Sequence, residues 1–292
     1  MKYRIRMISS THYDTSAPLG SHVLRVRPRT SANQRVNAFA VEIEPPPAEI
    51  AEGMDFFGIA TQTFAIEKPH ETFVFRVTAE VETNASPPAA DTPSPAWEDV
   101  RRQAWADADG TTASPAHFLF PSRIVSLDDA ITEYAAHSFP PGRAILAALG
   151  DLMRRIHADF VYDVDATDVT TTPVAAFAAR RGVCQDFAQV MIAGLRGLGL
   201  PAAYVSGFLR TTPPPGKPRL EGADAMHAWV SAWCGPELGW IDFDPTNAML
   251  PGDSHITIGA GRDYADVAPE IGVIVTYGKQ ALEVAVDVSP LD

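Results

Sequence analysis

Cys184, His227 and two aspartates, Asp242 and Asp244, are residues of this chain whose types and placement could do chemistry together. Cys184 lies in RRGVCQDFAQVMIAGLRGLGL, Arg180 to Leu200, where Val183, Phe187, Met191, Leu195 and Leu198 recur at helical spacing with Ala188 and Ile192 beside them. The thiol therefore falls within about one turn of a predicted helix start, where unpaired N–H groups and the positive end of the helix dipole favour a thiolate. Gly182 before it carries no side chain to obstruct approach and can adopt a strained turn. A lone cysteine is as readily a buried packing residue, so a nucleophile needs a base to be recognised. DAMHAWVSAWCGPELGWIDFDPTNAM, Asp224 to Met249, supplies one. Alternation puts His227, Trp229 and Ser231 on one face of a strand, and Trp240, Asp242 and Asp244 on one face of the next, across a Gly235-Pro236 connection. Such an antiparallel pair can bring imidazole and carboxylate within hydrogen-bonding reach. Cysteine would attack, histidine take and return the proton, and aspartate hold the ring in one tautomer. Alternation does not separate Asp242 from Asp244.

Cys234 is expected to stand apart. It lies seven residues beyond His227, roughly 23 Å at about 3.3 Å per residue, and points to the opposite face, which excludes a disulfide with Cys184. Two cysteines make neither a disulfide framework nor a four-cysteine zinc site. One Cys, one His and one Asp without a pair such as HxxxH or CxxC are a poor zinc signature, and no EF-hand-like loop is present, so no cofactor is expected.

The elements that must position these groups follow from pattern. Strands are predicted at the N-terminus (MKYRIRMISS), at His22–Pro28, Asn37–Pro45 and Thr72–Thr83, enough for a small β-sandwich module over residues 1–83. Asn84 to Ala96 is proline-rich and lacks periodicity, which marks 84–118 as linker and connecting segment. Helices are expected in WEDVRRQAWADA, in SLDDAITEYAAHSF with Ser126 as cap, and in GRAILAALGDLMRRIHADF. Beyond the cysteine helix, strands are expected at Val205–Leu209, His227–Cys234 and Gly239–Phe243, with GVIVTY and ALEVAVDV closing a core of residues 119–292. Helices followed by strands, without βα alternation, indicate an α+β fold. Pro213 to Ala225, rich in Pro and Gly, is placed as a lid beside the site.

The formal net charge of -13 argues against nucleic acid or an anionic membrane surface as partner, since both would be repelled. No run is long enough to span a bilayer, and the alternating N-terminus lacks a signal peptide's apolar core, so a cytoplasmic protein is expected.

GVCQDFA, HAWV and GWIDFDPTN, in that order, resemble the bacterial transglutaminase-like superfamily, including its cysteine-protease type. YDVDATDVTTTP, the opening MKYRIRMISSTHYDTSAPLGSHVLRVRPR and GRDYADVAPEIG are similar to the same proteins. The resemblance implies a papain-like α+β core behind an N-terminal β-sandwich. It also implies Cys184 as nucleophile, His227 as base and then acid, and Asp244, rather than Asp242, as the orienting carboxylate. The backbone N–H of Cys184 is the natural first donor to a tetrahedral intermediate, with Tyr162 or the Gln185 region as candidates for the second. Asp186, Tyr204, Ser206, Trp229 and Tyr264 are further candidates for lining the substrate site. The expected activity is thiol-dependent cleavage of a peptide or protein amide through an acyl-enzyme, with water slightly favoured over an amine as acceptor. The competing expectation is a non-enzymatic peptide-binding or scaffold protein on the same fold.

Overall fold

Alternation in the sequence becomes alternation in burial: along β1 (Lys2–Ala17), Tyr3, Ile5 and Met7 are buried while Lys2, Arg6 and Ile8 face outward. The computed structural model describes residues 1–291 apart from 90, 108, 113 and 212–224. After β1 come β2 (Leu19–Leu24), β3 (Gln34–Glu44), β4 (Ile50–Met54), β5 (Ala60–Ile66) and β6 (His70–Thr83). Then follow α1 (Trp97–Ala106), α2 (Asp129–Ala136), α3 (Ile145–Asp159), β7 (Val161–Tyr162), α4 (Pro173–Ala179), β8 (Arg181–Gly182) and α5 (Cys184–Gly197). The chain closes with β9 (Ala202–Leu209), β10 (Ala225–Trp233), β11 (Trp240–Phe243), β12 (His255–Gly261), α6 (Tyr264–Val267), β13 (Glu270–Val275) and β14 (Gln280–Leu291). This is an α+β fold. The expected lid, Pro213 to Ala225, lies outside the described residues up to the first residue of β10. Among the described residues no helix is long and apolar enough to cross a membrane.

Two four-stranded sheets, ordered β14-β1-β6-β3 and β13-β2-β5-β4, form the N-terminal sandwich. Phe73 of one sheet meets Phe64 and His22 of the other, with Phe75 beside it on its own strand, and the His22 ring stacks on Phe73 with 4.2 Å between centroids. The closing strands differ from the sequence expectation. They were expected with the core, yet β13 pairs with β2 along Glu270↔Leu24 to Val275↔Leu19, and β14 pairs with β1 from Lys2↔Leu291 to Tyr13↔Gln280. Both sheets of the sandwich are thus completed by the end of the chain. Pattern specifies a strand's faces but not its hydrogen-bonding partner.

The core sheet, ordered β11-β10-β9-β12 and antiparallel throughout, packs against α5. α5 carries more than one apolar stripe: every residue from Gln185 to Arg196 is buried. Glycines allow this. A Cβ on Gly194 would lie 2.8 Å from Ala135 Cβ, and one on Gly197 would lie 2.0 Å from Thr132 Oγ1, so α2 approaches closer than any side chain permits. The Arg196 guanidinium, buried at the helix's far end, donates to the carbonyls of Ala202, Phe120 and Arg262 and to Ser122 Oγ. α2 is capped by Asp128, whose carboxylate accepts from the Ile131 N–H at 3.1 Å, and not by Ser126 as expected.

Polar bonds lock the sandwich to the core. The Gln34 amide donates to Thr257 O at 2.7 Å and accepts from Thr257 N at 2.8 Å, the Arg25 N–H donates to Pro269 O, and Asp253 accepts from Thr83 Oγ1 and Ala85 N.

Candidate active site

α4 ends on Arg180, which takes a left-handed conformation (φ 54°). Its guanidinium lies over the Phe177, Tyr134 and Phe160 rings at 3.9, 4.7 and 4.9 Å, cation–π contacts that offset the strain of a non-glycine residue there. The chain then pairs Arg181-Gly182 in parallel with Val161-Tyr162 and enters α5 at Cys184. The Asp186 carboxylate fixes this entry by accepting from the Val183 N–H at 2.8 Å and from Thr167 Oγ1 at 2.6 Å. Burial pushes its carboxyl above the ordinary range, and these two donors oppose the rise. A Cβ on Gly182 (φ 155°) would stand 2.3 Å from Asp186 Oδ2. Gly182→Ala is therefore expected to eject the capping carboxylate and destabilise the fold by about 2–4 kcal/mol, combining a lost cap with backbone strain. Urea unfolding midpoints of the two proteins measure it.

As first residue of α5, Cys184 keeps a backbone N–H that the helix's own ladder cannot satisfy. His227, 8% exposed on β10, is bonded through Nε2 to Asp244 Oδ2 at 2.8 Å, which leaves Nδ1 for the thiol. Burial alone would lower the ring's pKa. The Asp244 hydrogen bond and the neighbouring Cys184 outweigh it and raise the pKa to about 10.

The two aspartates diverge. Register places Asp242 opposite Ser231, where it accepts from Trp229 Nε1 at 2.9 Å and is pushed upward by burial. Asp244, just past β11 and wholly buried, accepts at Oδ2 from His227, from Asn247 Nδ2 at 2.7 Å and from His255 Nε2 at 3.1 Å. Its Oδ1 accepts from the Thr246 and Asn247 N–H groups. Burial opposes ionisation, but these donors and the His227 charge hold the carboxyl well below its ordinary range. His255 and Asn247 are the members of this network that pattern did not reveal.

A cleft of about 390 Å³ opens on Cys184 and His227 and is also lined by Gln185, Tyr204, Ser206 and Tyr264. The other three expected residues do not line this cleft. Trp229 is fully buried on the Asp242 side, Asp186 is a helix cap, and Tyr162, 55% exposed, lies beside Cys184 through its pairing with Gly182. Both cysteines are free, and burial raises the Cys234 thiol to about 12. His227, Asp244 and His255 present ligand atoms within 4.8 Å of one another, a donor set that zinc accepts. In the structure these atoms are hydrogen-bonded to one another.

Residues 3–82 match the bacterial transglutaminase-like N-terminal region, and residues 133–245, which contain Cys184, His227 and Asp244, match the transglutaminase-like superfamily. The chain belongs to the transglutaminase-like superfamily. An uncharacterized protein of Mycobacterium tuberculosis is 39% identical over 299 residues, covering 99% of this chain and 94% of the relative. A protein-glutamine gamma-glutamyltransferase of Pseudomonas aeruginosa is 36% identical over 119 residues, which is 40% of this chain and 17% of that protein. In fold, this transglutaminase-like chain is similar to a crystal structure from Cytophaga hutchinsonii described as that of a candidate cysteine protease. The match has a TM-score of 0.79 and 24% identity, and it covers 100% of this chain and 91% of the other.

Proposed function

We propose that this protein is a thiol-dependent enzyme that cleaves peptide or protein amides through a Cys184 acyl-enzyme, with water as the favoured acceptor. One observation carries the reading: the His227 ring sits between Cys184 and an ionised, fully hydrogen-bonded Asp244, at the head of a rigid buried helix. With its pKa raised to about 10, the ring is cationic at neutral pH and suited to face a thiolate. The sulfur attacks the amide carbon and forms a C–S bond, and negative charge moves to the carbonyl oxygen against the Cys184 N–H. One N–H of the Gln185 amide donates to Val169 O at 3.3 Å and the amide carries a second, so Gln185 and Tyr162 are both candidates for the second donor. The imidazolium gives its proton to the leaving nitrogen as the C–N bond breaks. It then takes a proton from the incoming water, whose oxygen bonds to the acyl carbon as the C–S bond breaks, so the acid leaves and the thiolate–imidazolium pair is restored. A cytoplasmic setting suits the two free thiols.

The test is release of product from peptide amides, with and without a primary amine, by wild type and Cys184→Ala. Loss of activity in the variant by about 10⁴-fold or more is expected, together with inactivation by iodoacetamide and indifference to EDTA. Activity that survives in Cys184→Ala, or that EDTA abolishes, would favour a metal at His227, Asp244 and His255 instead. Peptide binding without turnover would favour a scaffold.

A further inference from the structure

The sheet β14-β1-β6-β3 has an apolar inner face, and its cover stops short of one edge. Across that face Val286 pairs with Met7, which pairs with Val77, and Val284 pairs with Ser9, which pairs with Phe75. Phe75, Val77, Met7 and Val286 are buried to within 2%. Towards the start of edge strand β14 the same row emerges: Val284 is 47% exposed and Leu282 63%. Leu282, Val284, Val286, Met7 and Phe75 all line the cleft that holds Cys184 and His227. From the core, Val183, Met226 and Ala228 add further apolar surface.

We propose that the sandwich forms the specificity wall of the cleft and selects peptides with an apolar residue next to the reacting carbonyl. The inference rests on the thiol-enzyme reading above. Three observations favour this occupant. The exposed row is continuous with the nucleophile's cleft rather than on a remote surface. Among the described residues that line the cleft there is no lysine or arginine, the His227 cation is already paired with Asp244, and the Glu270 carboxylate, bonded to His22, stands at it, so an acidic side chain finds no unpaired cation and a like charge. The volume of about 390 Å³ lies within the range of pockets that enclose small ligands. The seam through Gln34, Thr257 and Asp253 holds the wall in register with the thiol.

The test uses the whole chain and peptidyl chloromethyl ketones that differ only in the residue next to the ketone, Leu, Gly or Asp. The thiolate displaces chloride, and the rate of Cys184 modification is followed by mass spectrometry. In wild type the Leu probe is expected to react at least about ten-fold faster than the Gly probe, with Asp slowest, as one apolar side chain in a pocket allows. In Leu282→Ser/Val284→Ser the Leu-to-Gly ratio is expected to fall to about two-fold or less. A thermal midpoint checks that the variant is folded, and Leu282→Ser alone, at an exposed position, serves if the double variant is not. Equal wild-type rates for the three probes would overturn the inference while leaving the thiol enzyme standing. Iodoacetamide acting on Cys184 no faster in wild type than in His227→Ala would instead remove the enzyme reading, and this inference with it. A wild-type dimer that the double variant breaks, with the Leu preference intact, would assign the face to a second copy of the chain and also overturn the inference.

Discussion

Replacing His227 with alanine is expected to slow alkylation of Cys184 by iodoacetamide at pH 7 by about 10²-fold or more, and to lower amide turnover by about 10⁴-fold or more. His227 is buried, so without partners it would be neutral near pH 7. The Asp244 carboxylate and Cys184 raise it to about 10 instead. A cation so placed favours the anionic sulfur, and alanine removes that cation together with the proton donor for the leaving group. Gly182 and the Asp186 cap do not depend on His227, so the helix start persists and the loss is chemical. Mass mapping provides an internal control, because Cys234 is wholly buried with its thiol raised to about 12 and is expected to stay unlabelled in both proteins. Equal, slow labelling of Cys184 in wild type and variant would sink the proposed chemistry.

Local pattern foretold the parts of the site that local pattern controls. Apolar spacing after Val183 and alternation through HAWV set a helix start and a strand face, and both depend on neighbours a few residues away. Asp242 and Asp244 were indistinguishable because alternation assigns them the same face. Only the register of β11 on β10, Ser231↔Asp242, directs the first towards Trp229 and leaves the second for His227. His255 was invisible for a related reason. It reaches Asp244 because β12 pairs with the far side of β9 at His255↔Leu209, a contact that no periodicity encodes. Asn247 carried a usable signal, since Asp-Pro-Thr-Asn is a turn in which an Asp side chain accepts from N–H groups two and three residues on. The signal at α4 was usable too: Thr172-Pro173 is a capped helix start with proline in its first turn. The C-terminal strands were legible as strands, but not as members of the sandwich. That assignment matters most for substrate choice, because it brings Leu282 and Val284 to the cleft.

Asp244→Asn is expected to reduce turnover by about 10²-fold or more and stability by about 2–4 kcal/mol, with a signature in pH that mere misfolding would not give. The carboxylate accepts from His227, His255, Asn247 and Thr246, and an amide cannot accept at both of its ends. One donor group is then left facing an NH₂ in a buried site. Loss of the charge also removes a principal support of the His227 cation, so its titration is expected to fall from about 10 towards the ordinary value near 6.5. The sign of the stability effect follows from linkage. A histidine whose folded pKa is raised contributes stability that is complete below about 6.5 and fades as pH climbs to about 10, whereas a depressed carboxyl contributes above about 3.9 and loses that contribution as pH falls further. Wild type is thus expected to lose about 2–3 kcal/mol from this pair between pH 6.5 and pH 9, a loss that Asp244→Asn largely lacks because it never had the contribution. Urea midpoints of both proteins at pH 6 and pH 9 read this difference directly. Cys184 alkylation should show the same change, with the high-pH end of the His227-dependent reactivity moving downward in the variant. An unchanged profile would mean that Asp244 is a packing residue of the turn and that the ring is charged by Cys184 alone.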